Sequence, residues 1–89
     1  MNANRRKALR VILSQLEELE SLRQEIQERL EEIKDEEQEA LDNMPESLQE
    51  SERGQQMQEY IDTMDGVLDD LGYIDTDELY SQLEEIAHG

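Results

Sequence analysis

The chain has 89 residues, no cysteine, no Phe and no Trp, and a formal net charge of −17. That length holds one domain at most, the missing cysteines exclude a disulfide staple, and a single histidine, His88, leaves no Cys/His zinc site. Residues 1 to 10 hold four basic and no acidic side chains, whereas the chain after Arg53 holds ten acidic and no Lys or Arg, a polarity that repels nucleic acid and anionic membrane and attracts basic protein surfaces.

The first element follows from a 3-4 spacing that runs through Leu9, Ile12, Leu16, Leu19, Arg23, Ile26, Leu30, Ile33, Glu37, Ala40 and Met44. Gly and Pro are missing from this stretch and Glu, Gln, Leu and Arg dominate it, so propensity and period together predict one helix over residues 5–43. Pro45 ends it, because proline lacks the amide hydrogen and restricts the residue before it. Residues 44–51 read as a turn that includes at most one helical turn.

A second helix is predicted over 52–71, with Ser51 as its cap and Gly72 just past its end. Met57, Tyr60, Ile61, Met64, Val67, Leu68 and Leu71 fall within an arc of about 120°, and Glu59, Asp62, Asp65, Asp69 and Asp70 lie outside it. Gly66 sits on the exposed side, where a close approach or a bend would explain it. Asp75-Thr76-Asp77-Glu78 has capping-box spacing and opens a third helix over 76–87, with Leu79, Tyr80, Leu83 and Ile86 as its apolar residues.

The expected fold is all-α, a single helical domain spanning 1–89 in which two shorter helices fold back on a long N-terminal one. A helix over 5–43 is roughly 57 Å long, so the expected form is an elongated hairpin or coiled-coil-like bundle. The two halves of the long helix differ. Ile26, Leu30, Ile33, Ala40, Leu41 and Met44 make a stripe of roughly 100°, suited to one neighbour. From Ala8 to Leu22 the stripe widens to about 200°, which predicts that this stretch meets a second copy of the protein or a partner helix, with an oligomer interface at Leu9, Ile12, Leu13, Leu16, Leu19 and Leu22 in a homodimer.

Catalytic and metal chemistry find little support. The segment Asp69 to Glu78 echoes a calcium-binding loop, but aligning Gly72 to its sixth position puts Val67 and Leu71 where oxygen ligands belong. Ser14, Ser21, Ser47, Ser51 and Ser81 have no histidine but terminal His88, and no glycine-rich phosphate cradle is present. Arg10, Gln15 and Glu17 interrupt the first apolar stretch before it reaches the length of a signal or a membrane span. The expectation is a cytoplasmic protein that is no enzyme, holds no cofactor or metal, and binds neither membrane nor nucleic acid directly.

Asn43-Met44-Pro45-Glu46-Ser47-Leu48-Gln49, followed by Ser51-Glu52-Arg53-Gly54 and Met57-Gln58-Glu59, resembles a motif of small acidic proteins of phages and related mobile elements. The resemblance covers residues 35 to 71 and carries no assigned activity and no functional residues. It implies a phage or prophage product acting inside a bacterial cell.

Two functions compete on this reading. The first is an inhibitor or nucleic-acid-mimicking decoy of a basic host protein, of the anti-defence type, acting through Glu59, Asp62, Asp65, Asp69 and Asp70. Those five carboxylates span about 16.5 Å of helix, a charge spacing close to the roughly 3.4 Å per phosphate of one DNA strand. The second is a self-associating structural or adaptor protein of a phage or host assembly, joined through residues 8 to 22.

Overall fold

The computed structural model describes residues 1–88 and is all-α: α1 (Ala3–Asp42), α2 (Glu46–Gln49), α3 (Glu52–Gly72) and α4 (Thr76–His88), with no strand among the described residues. Each helix starts where a side chain or a proline prepares it. Asn2 Oδ1 accepts the Arg5 amide at 2.9 Å and the Asn2 carbonyl accepts the Arg6 amide at 3.1 Å, so α1 begins at Ala3, two residues ahead of the predicted start. The Pro45 carbonyl accepts the Leu48 and Gln49 amides at 2.9 and 3.0 Å, which makes α2 the single turn that proline permits.

Ser51 caps α3 as its position predicts, its hydroxyl accepting the Gly54 amide at 3.4 Å while donating to the Leu48 carbonyl. At the other end Gly72 is the last helical residue, and Tyr73 at φ −80° and ψ −12° is the C-cap. No described glycine has a positive φ, so Gly72, expected just past the end of the helix, lies within it and is no left-handed stop. Asp75 opens α4, its Oδ1 accepting the Glu78 amide at 3.0 Å.

The chain forms two compact units that share α1. One comprises Met1–Glu25 with the segment from Ile74 onward; the other is Ile26–Tyr73. In the first, Thr76 of α4 bonds to Glu20 of α1 and Tyr80 to Glu17, so the two helices run antiparallel, with Leu13, Thr76 and Ala87 buried. In the second, Gln49 Nε2 donates to the Met44 carbonyl at 2.9 Å and Lys34 Nζ bonds Asp65 Oδ1 at 2.7 Å. There α3 runs back antiparallel along α1 over a core of Leu41, Ile61 and Leu68.

The 3-4 spacing of α1 resolves into two rows of different fate. Leu9, Leu16, Arg23, Leu30, Glu37 and Met44 are all half-buried, whereas Ile12, Leu19, Ile26, Ile33 and Ala40 are all exposed. Sequence predicted one covered stripe from Ile26 to Met44. The structure corrects this: α3 covers the side holding Leu30, Lys34 and Leu41, and leaves Ile26 49% and Ile33 53% exposed.

Candidate partner-binding surfaces

The six residues predicted as an oligomer interface divide by burial. Leu13 is 7% exposed and belongs to the core of the first unit, which takes it out of any partner surface, and Leu9 and Leu16 are half-buried. Ile12, Leu19 and Leu22 are 42%, 46% and 55% exposed. Helix α4 adds Leu79 and Ile86, both exposed and likewise seven residues apart, which the sequence reading named as apolar residues of that helix without placing them on a partner surface. The heptad interval was the available signal.

Beneath this apolar surface lies a polar clasp. Glu20 accepts hydrogen bonds from Arg23 Nε at 2.9 Å, from the Thr76 hydroxyl, and from Gln24 Nε2 at 3.0 Å. Three donors directed at one carboxylate, Arg23 foremost, then Thr76 and Gln24, lower its pKa from 4.5 to about 2. The same bond raises the pKa of Arg23. Leu16, Glu17, Glu20, Thr76, Asp77 and Tyr80 line an open depression here, and the hydrogen bond from the Tyr80 hydroxyl to Glu17 raises the phenol's pKa. Thr76 with Glu20 and Tyr80 with Glu17 are already hydrogen-bonded across it, which makes the depression a structural joint between α1 and α4.

The acidic face predicted on α3 is present in the second unit. Glu59, Asp62, Asp65, Asp69 and Asp70 are all exposed and fall within about 140° of helix circumference. Asp62 accepts from Gln58 Nε2 at 2.9 Å, and Asp65 is held by Lys34, whose pKa the bond raises. Such a face can meet cations, yet nothing in its geometry sets one carboxylate against another as acid and base.

Among the described residues, no three His, Cys, Asp or Glu side chains are grouped so as to hold a metal ion. His88 is exposed at the end of α4, 3.4 Å from Glu84. No described helix is long and apolar enough to cross a membrane. No protein-family model, curated protein or solved structure matches the chain.

Proposed function

We propose that this chain is a small acidic helical binding protein with no chemistry of its own, which acts by docking a partner protein on the apolar residues that α1 leaves exposed. The observation that carries this reading is the row Ile12, Leu19 and Leu22, each more than two-fifths exposed on a helix whose adjoining side already packs on α4. Large apolar side chains aligned at helical spacing mark an interaction surface more reliably than scattered ones do. The module serves as an adaptor or an inhibitor in a phage or bacterial setting. Either a second copy or another protein can meet the row.

The test is Leu19→Asp, which places a charge on an exposed site and leaves the buried face alone. Circular dichroism should be unchanged, while self-association measured by sedimentation, or capture of a defined helical partner, is lost. Retention of every association by Leu19→Asp would refute the reading.

A second reading, the nucleic-acid-mimicking decoy, is favoured by one observation: the five α3 carboxylates are exposed together, with Lys34 hydrogen-bonded to Asp65 among them. A decoy requires binding that competes with DNA or RNA and falls steeply with salt. Neutralising Asp62, Asp69 and Asp70 to Asn would abolish such binding, while the Leu19→Asp variant would keep it.

A further inference from the structure

The exposed rows of the first unit belong to one groove. On α1, Ile12 and Leu19 lie about 80° around the helix from the buried side centred on Leu13 and Leu16, and on α4, Leu79 and Ile86 lie about 80° from the buried side centred on Thr76 and Ala87, in the same rotational sense. The two helices are antiparallel, so equal rotations in one sense turn both rows to the same side of the pair. The floor is therefore Ile12, Leu19, Leu79 and Ile86, the apolar half of a three-helix core with the third helix missing.

The rim of the groove is acidic on both sides. Glu18 flanks the row on α1, and Glu78 directly precedes Leu79 as Glu85 precedes Ile86; all three are exposed. These are the positions that choose partners in coiled coils. Between residues 11 and 25 the single cation is Arg23, held by Glu20 on the packed side, and α4 contains no Lys or Arg. The second unit repeats the pattern independently: Ile26 and Ile33 of α1 with Tyr60 and Val67 of α3 are exposed, and Glu32 precedes Ile33 as Glu59 precedes Tyr60.

We propose that the groove between α1 and α4 binds an amphipathic helix of a partner protein whose apolar stripe is bordered on both sides by Lys or Arg. This rests on the binding function above and names its partner class. Charge decides against a second copy as the occupant, because each chain carries −17 and a copy would bring glutamates toward glutamates. A basic helix buries the apolar floor and pairs with both rims at once, and its encounter is accelerated by the field of the whole chain.

The test uses the full chain and three synthetic helices about three heptads long: one with Leu and Ile on its stripe and Lys at the flanking positions, one with Glu at those flanks, and one with the basic composition scrambled. Binding is read by fluorescence anisotropy at low and high salt. The basic amphipathic helix should bind about tenfold or more tightly than either control. Leu19→Asp and, separately, the paired Glu78→Lys and Glu85→Lys should each remove that preference, with helicity checked by circular dichroism.

Equal binding of the scrambled peptide would overturn the proposal, since charge alone would then suffice. A dimer broken by Leu19→Asp, with no preference for the basic helix, would also overturn it and leave the binding function standing with a second copy as occupant. Neither self-association nor peptide binding would sink both.

Discussion

The hydroxyl of Thr76, buried at the first turn of α4, donates to the carboxylate of Glu20 on α1, across 56 positions of sequence. Arg23 and Gln24 grip the same carboxylate from its own helix, so one side chain joins the two helices of the first unit. Thr76→Val keeps the shape and removes the donor. It should destabilise the protein by about 1–2 kcal/mol in chemical denaturation, and an unchanged midpoint would show that the bond contributes nothing net.

The depressed pKa of Glu20 gives this joint a pH signature. A carboxylate held near 2 in the folded protein and near 4.5 otherwise contributes stability that is fully present above 4.5 and disappears as pH falls toward 2. Glu20→Gln should therefore be less stable than the parent at neutral pH, and the gap should close across that interval. A gap that stays constant through it would mean the charge of Glu20 is irrelevant to folding.

Leu13 and Leu22 are both apolar residues of α1, yet one is in the core and the other is 55% exposed. Leu13→Ala should cost about 2–5 kcal/mol, and Leu22→Ala should change stability by no more than about 0.5 kcal/mol. Thermal unfolding of the two variants checks the contrast. Similar losses at both sites would mean that Leu22 is covered in solution.

Two glycines of α3 should respond in opposite directions to alanine. A β-carbon at Gly66 meets nothing within 4 Å, so the close approach considered from sequence is absent and Gly66→Ala should stabilise the helix by roughly 0.5–1 kcal/mol. At Gly54 the same atom would stand 2.1 Å from the Gln49 carbonyl oxygen and 2.7 Å from that of Leu48. Gly54→Ala should cost about 1–3 kcal/mol, because backbone has to move to admit it. Denaturant midpoints moving in the same direction would contradict the packing of α2 on α3.

Much of this fold was legible because the residues that set helix ends act locally. Ser51, Asp75 and Pro45 each announce a boundary within a few positions, and the uninterrupted spacing from Leu9 to Met44 announces α1. The roles of Glu20 and Gly54 were hidden for the opposite reason. Glu20 looks like any other surface glutamate until α4 brings Thr76 to it, and Gly54 looks like any glycine in the first turn of a helix until α2 closes on it. The candidate surface was half legible. Periodicity located apolar residues at 8 to 22, but a wheel cannot tell which side of a wide stripe its own chain will cover, so Leu13 and Leu19 were indistinguishable before α4 was in place.

Tyr60, Tyr73 and Tyr80 are the only aromatic side chains, and they stand in three different surroundings: the exposed edge of α3, near-complete exposure beyond its end, and the hydrogen bond to Glu17. With Phe and Trp absent, the near-ultraviolet spectrum is the sum of three phenols and nothing else. Replacing Tyr60 and Tyr73 by Phe would leave Tyr80 as a built-in optical gauge of the joint between α1 and α4. Its phenolate would form above the usual 10.0 while Glu17 holds it, and would move down in alkaline titration when that contact opens.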